Sequence, residues 1–286
     1  MIATIGYFDG VHRGHQQVLQ RLVEMARDTN DRSLVITFAQ HPKADMPLLT
    51  TLNERKQKIY DCGVDIVDIL DFPTIKHLTA QQFMHQILRE ELHVKTLLMG
   101  YDHRFGSDQI IDFRAYQAMG EHEGIKVIYL PQFAPQGKHI SSSVIRNLIE
   151  QGDIDSANYL LGYQFSITGN VIQGRQIGRQ IGFPTANIEP QDLHKIIPGT
   201  GVYVANVYVD TMTVPIRGML NIGTNPTVGG HESTIEVHLI NYSDNLYDKT
   251  LNIEFLHRLR GEIHFQSVED LQHQLRLDKQ AVIDYK

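Results

Sequence analysis

The chain has 286 residues, with 26 Lys and Arg against 33 Asp and Glu and a formal net charge of −7. That length suits two domains, and that charge argues against nucleic acid held by a global basic field while leaving room for a local phosphate pocket. One cysteine, Cys62, excludes an internal disulfide and any multi-cysteine metal centre.

The N-terminal stretch lacks a signal peptide's basic start and apolar run, and no apolar run approaches the roughly 18 residues of a membrane span. The expected location is the cytoplasm, with no membrane partner.

In chain order, the first strands expected are Ile2–Ile5, Leu34–Phe38, Ile66–Leu70, Thr96–Met99 and Val127–Leu130. They are short, apolar and branched, as strands buried on both faces are. Helices are expected between them at Gln16–Arg27, Leu52–Tyr60, Ala80–Glu91 and Ile110–Glu121, with Thr79 and Gln82 forming a capping box. The βαβ rhythm predicts a doubly wound parallel sheet that binds ligands at the carboxyl ends of its strands.

Ser141–Gln151 reads as another helix, opened by a run of N-caps. The polar stretch Gln151–Asn158 follows, and the texture changes near Gly162. Strands are then expected at Phe165–Val171, Gly201–Val209, Val214–Ile222, Thr234–Ile240 and Leu251–Phe255, punctuated by Gly and Asn. These predict a small antiparallel β-barrel with a C-terminal helix at about Val268–Val282. The two domains are expected at 1–162 and 163–286.

The first motif is Gly6-Tyr7-Phe8-Asp9-Gly10-Val11-His12-Arg13-Gly14-His15, between a strand and a helix. Glycines at such a turn let backbone approach a phosphate, and a helix N-terminus favours negative charge. His12 and His15 add donors where phosphoryl or nucleotidyl transfer builds charge. A plain turn with two exposed histidines fits the spacing equally well, and a zinc pair needs further ligands. No GxxxxGK[ST] loop occurs.

The second motif runs from Gly169 to Asn187. It holds Gly174, Arg175, Gly178 and Arg179 ahead of Phe183-Pro184-Thr185-Ala186-Asn187. A glycine-rich flap with arginines can close over a triphosphate, and Thr185 and Asn187 offer hard oxygens to Mg2+. A glycine-rich hairpin with solvated arginines is the plain alternative. Glu236 lies in an alternating apolar strand, where a carboxylate is either paired, solvent-facing or functional.

Gly6–His15 resembles the HxGH signature of nucleotidyltransferases. More narrowly, Phe8–His15 resembles the N-terminal module of prokaryotic bifunctional riboflavin kinase/FAD synthetases. Ile140–Arg146 is similar to that family's second ATP-phosphate motif, and Thr37–Pro42 and Gly100–Gly106 resemble its loops near flavin and nucleotide. The family often has Phe where His103 stands. Gly169–Asn187, Asn221–Thr227 and Thr234–His238 resemble its riboflavin kinase module.

The resemblance implies a Rossmann-like nucleotidyltransferase followed by a riboflavin kinase-like barrel, making FMN from riboflavin and FAD from FMN. It implies ATP contacts from Gly6, Phe8, Asp9, Gly10, His12, His15, Ser141, Ser142 and Arg146, and flavin contacts from His41 and Asp102. In the barrel it implies ATP contacts from Gly174, Arg175, Gly178, Arg179, Thr185 and Asn187. Thr185 and Asn187 would hold Mg2+, with Glu236 as base. ATP, riboflavin and FMN are the implied small-molecule substrates. Three other readings stay open: a kinase with a silent first module, a different nucleotidyltransferase, and a flavin-binding regulator.

Overall fold

The computed structural model describes residues 1–41, 46–101, 103–110, 112–131, 140–174, 177–227 and 230–286; at 177, 180, 225–227 and 230–233 only the backbone is described. Two compact units divide the chain, Met1–Ser142 and Ser143–Lys286.

The first unit is built on β1 (Ile2–Ile5), β2 (Ser33–Phe38), β3 (Ile66–Leu70), β4 (Thr96–Gly100) and β5 (Lys126–Leu130). Each lies within a residue of the expected span. All pairings are parallel, in the order β3-β2-β1-β4-β5. All four residues of β1 are buried, because helices cover both faces. Alternation sends Ala3, Ile5, Leu34 and Leu97 to one core with Phe83, Met84 and Tyr116. Ile2, Val35 and Leu98 go to the other, against Leu19 and Leu22 of α1 (Arg13–Asp28) and Ile59 of α2 (Leu52–Asp61). The strand order reverses at β1, which has β2 on one side and β4 on the other. Its carboxyl end is therefore the crevice of an open α/β sheet.

The Thr79–Gln82 capping box is present, and a second one, Thr51–Glu54, starts α2. The expected helix Ala80–Glu91 is α-helical over Ala80–Phe83 and continues as π-helix over Met84–Glu91. The helix expected from Ile110 starts at Phe113, where Asp112 caps it.

The second unit closes β6 (Ser166–Ile172), β7 (Ala186–Pro190), β8 (Gly201–Val209), β9 (Ile216–Thr227), β10 (Gly230–Leu239) and β11 (Thr250–Arg260) into a barrel. The order is β10-β7-β6-β11-β8-β9, antiparallel throughout. Closure leaves no exposed sheet edge. The strand β7 was not among those expected; its two partners, β6 and β10, hold it extended.

The polar stretch after Gln151 holds a helix, Ile154–Leu161, capped by Asp153 and ended by Gly162 at φ 83°. Its buried residues are Ile154, Ala157, Leu160 and Leu161, one face of a helix whose other residues are polar. Asn158 donates to the carbonyl of Phe255 at 2.9 Å, and Gly199 donates to that of Ile149 at 3.0 Å. These bonds place both helices between Ser142 and Leu161 with the barrel, ahead of the change of texture near Gly162. The C-terminal helix Val268–Asp284 packs on the barrel through buried Val282 and the Arg260–Asp278 ion pair at 2.7 Å.

One buried carboxylate joins two helices of the first unit. Glu123 accepts from His85, His122, Arg89 and Gln81 at 2.7–3.2 Å. The His85 hydrogen bond, then that of His122, lowers its pKa to about 2. A carboxyl depressed in the folded state contributes stability above its unfolded value of 4.5, and that contribution fades as pH falls through about 2. Glu123→Gln should cost about 1–3 kcal/mol at neutral pH. Thermal unfolding at stepped pH should show the deficit shrinking across that acid window.

Candidate active sites

The first site begins where β1 ends. Gly6 donates its amide to Ile36 at 3.0 Å, and the chain then turns with Phe8 at φ 56°, Gly10 at φ 78° and Val11 at φ 35°. Positive φ at a β-branched residue is an outlier, costing roughly 1–3 kcal/mol, and persists only where the surroundings over-determine it. Here they do. The Asp9 carboxylate accepts from the Leu49 amide at 3.1 Å, the Thr50 amide at 3.0 Å and the Thr50 hydroxyl at 3.1 Å. Thr50 Oγ1 in turn accepts from the Gly10 amide at 2.9 Å. Phe8 and Val11 are buried in the core. The side chains of Phe8 and Asp9 thus hold the turn. A Cβ on Gly6 would sit 3.0 Å from the Phe8 ring, which accounts for glycine there.

His12 caps α1. Its Nδ1 accepts from the His15 amide at 3.3 Å, which leaves the proton of the neutral ring on Nε2. The two imidazoles stack, with centroids 3.7 Å apart and planes 16° apart. Gly14 lies between them in sequence because a Cβ there would come 3.2 Å from the His12 ring. Burial holds the pKa of His15 well below the usual histidine range, and the charge of His12 adds to this. Its buried Nδ1 has no hydrogen-bond partner. The site therefore presents two imidazoles at a helix N-terminus, where backbone amides and the helix dipole favour an anion. Among the described residues no group of three or more His, Cys, Asp or Glu is placed to hold a metal ion.

Ser142 Oγ donates to the carbonyl of Asp9 at 2.9 Å, fixing the start of the next helix to the turn. Ser141 precedes it, and buried Arg146 lies one turn on, on the same helix face. The His41 ring meets Tyr7 edge-on at 4.5 Å. Asp102, Pro42 and Arg175 lie outside the described residues. Met99, Gly100, Tyr101, Arg104, Phe113 and Tyr129 line a cavity of about 410 Å³ at the ends of β4 and β5. His103 has its pKa lowered to about 4 by burial, with Arg104 adding to the effect.

The second site is in the barrel. Glu236 on β10 is in register with Asn187 on β7, so the two side chains share a face. Thr185 Oγ1 donates to Glu236 Oε2 at 3.0 Å. The three oxygen-bearing groups expected to act together are thus adjacent, and they are hard donors suited to a divalent cation. Thr185, Asn187, Gly174 and Arg179 line a cavity of about 640 Å³ with Tyr242 and Tyr247. Gly174 lies against the Asn187 amide and Gly178 against the Phe183 carbonyl, each too close for a Cβ. Both glycines serve first to let the flap lie on Phe183–Asn187.

Two supporting groups were missed in the sequence. His238, two residues beyond Glu236 on the same face of β10, donates from Nδ1 to the Pro184 carbonyl at 2.8 Å. Burial lowers its pKa and favours the neutral ring. Neighbouring side chains of β10 thus hold Pro184 and Thr185 in place; the alternation Glu236-Val237-His238 was the available signal. The other is the Leu49–Thr50 segment, whose signal was the capping box that follows it.

A family model for FAD synthetase matches residues 1–144, and one for riboflavin kinase matches 161–286. Curated relatives described as bifunctional riboflavin kinase/FMN adenylyltransferase include those of Escherichia coli K12 (36% identical, 97% of this chain, 90% of that one), Pseudomonas fluorescens (37%, 98% and 91%) and Bacillus subtilis (32%, 99% and 92%). A solved Streptococcus pneumoniae structure described as a macrolide-efflux protein superposes with a TM-score of 0.88 at 31% identity, covering 100% of this chain and 94% of that one. Among the described residues here, no helix is long and apolar enough to cross a membrane. With both family models in tandem and such relatives along nearly the whole length, the chain belongs to the bifunctional riboflavin kinase/FMN adenylyltransferase family.

Proposed function

We propose that the two reactions divide between the halves of the chain, with riboflavin phosphorylation in 163–286 and FMN adenylylation in 1–162. The observation that carries the kinase half is the Thr185–Glu236 hydrogen bond with Asn187 opposite. Glu236 takes the proton of the ribityl 5′-hydroxyl as that oxygen attacks the γ-phosphorus of ATP; the bond to the β-phosphate oxygen breaks and ADP leaves. The Thr185 hydroxyl orients the carboxylate and keeps a lone pair for a cation. Thr185 and Asn187 hold Mg2+, which when bound offsets charge on the phosphates. Arg175, Arg179 and the flap glycines close over the triphosphate.

The stacked imidazoles at the start of α1 carry the adenylylation half. The FMN phosphate attacks the α-phosphorus of a second ATP, pyrophosphate leaves, and no protein nucleophile is needed. His12 donates from Nε2 to the nucleotide phosphates, and His15 directs its unpartnered Nδ1 to them. Gly6 and Gly10 give backbone room. Ser141 and Ser142 offer a helix start, Arg146 a forked cation, and His41 with Asp102 face the flavin.

Two variants separate the halves, each read by chromatography of the flavins formed from riboflavin, ATP and Mg2+. Glu236→Gln should lower FMN formation about 10²–10⁴-fold, the usual worth of a general base, yet still adenylylate added FMN. His15→Ala should lower FAD formation by about 2.7–4 kcal/mol in the transition state while FMN accumulates as before. Parallel loss of both products in either folded variant counts against the division.

A further inference from the structure

We infer that Arg55 is a phosphate receptor of the first site, binding a phosphoryl group of one of its two substrates. The inference rests on residues 1–162 being the adenylylating half. Arg55 has no solvent exposure and is among the largest fully buried side chains of the chain. An arginine is almost never buried so completely unless paired, because an uncompensated charge in the interior is costly.

The partners it has do not compensate it. Nη2 donates to the Phe38 carbonyl at 2.5 Å, and the guanidinium lies 4.0 Å over the Tyr7 ring. Nε and Nη1 have no hydrogen-bond partner. Among the described residues no carboxylate is in ion-pair contact with it. Arg260 shows how a structural arginine of this chain is satisfied: Nε and Nη2 both meet the Asp278 carboxylate, at 3.1 and 2.7 Å.

The position matches the chemistry. Phe38 ends β2 and Tyr7 follows β1, so the guanidinium lies at the carboxyl ends of the strands, where this sheet type binds ligands. Arg55 stands in the first turns of α2, whose entry is latched to the phosphate turn by Asp9 through Leu49 and Thr50. The Tyr7 ring beneath it also meets His41. The anchored turn, the imidazoles and this cation are thus set by one network. Adenylyl transfer brings two phosphate-bearing anions together in a chain of net charge −7. A forked donor with unfilled N–H groups is the group that offsets their repulsion and fixes an oxygen in place. Since Arg55 is covered, the entering phosphate shifts the groups over it.

The phosphoryl group has two possible sources, the 5′-monoester of FMN and the triphosphate of ATP, and the test distinguishes them. Full-length wild type, Arg55→Met and Arg55→Lys are compared. FAD formation from FMN gives separate KM values for FMN and ATP, FMN formation from riboflavin is the control for the other half, and nucleotide-free protein gives the thermal midpoint. For Arg55→Met one KM should rise roughly ten-fold or more, as when a charge-assisted hydrogen bond is lost. The kinase rate should hold, and the midpoint should stay or rise, because an apolar chain relieves an uncompensated buried cation. Arg55→Lys, with charge but no fork, should recover part of the affinity. A shift confined to FMN assigns the monoester, and one confined to ATP the triphosphate. A fall in midpoint, or unchanged KM values in the folded Met variant, overturns the inference and makes Arg55 a prop. Wild type that forms no FAD would instead count against adenylylation itself.

Discussion

The first unit depends on one carboxylate. Asp9 gathers the amides of Leu49 and Thr50 and the Thr50 hydroxyl. A buried carboxylate is tolerable only when its lone pairs are filled. In return it clamps a turn containing Val11 at a backbone angle that valine rarely adopts. Several neighbours meet that turn: the start of α1, where His12 stacks on His15, Ser142 on the Asp9 carbonyl, and Leu49 and Thr50 at the entry to α2. The strain in the turn and the bonds that hold it are one device. On the proposed function, a turn held this way keeps the donors at the start of α1 in fixed positions, and such preorganisation is where electrostatic catalysis gets most of its strength.

The barrel solves the same problem by different means. The carboxylate proposed as its base lies on a strand, and strand register rather than a strained turn brings Asn187 opposite Glu236. Hydrogen bonds from Thr185 to Glu236 and from His238 to Pro184 then pin the segment leading into β7. The sheet is rigid and the flap before it is rich in glycine. On the proposed function, the paired strands sit under the reacting oxygen and the glycine-rich segment sits over the nucleotide.

Much of this was legible in the sequence because period and chemistry agreed. The five parallel strands are apolar runs, and their ends fall within a residue of expectation because helices bury both faces. Gly6–His15 and Gly169–Asn187 stood out as clusters of glycine with histidine or arginine, and the family resemblance rather than the spacing chose between a phosphate site and a plain turn. The unreadable parts have physical reasons. The strand β7 has Asn187 and Pro190 among its five residues, and the pairing with β6 and β10 that extends it is a tertiary fact. The helix Ile154–Leu161 hid behind polar neighbours, its apolar face too short to read. The hydrogen bonds of Asp9 to Leu49 and Thr50 join residues 40 and 41 positions apart, a pairing that no local pattern announces. Arg55 gave no signal, since burial of a charged residue is a tertiary fact.

The helix Ser142–Gln151 has one more consequence. Its first residue is anchored on the Asp9 carbonyl in one compact unit, and Ile149 near its end receives a hydrogen bond from Gly199 in the other. A break before Ser142 removes the anchor from the phosphate turn, and a break after Leu161 strips two helices from the barrel. A break inside the helix would leave both parts with an unfinished helix end, whose backbone groups would then need new partners.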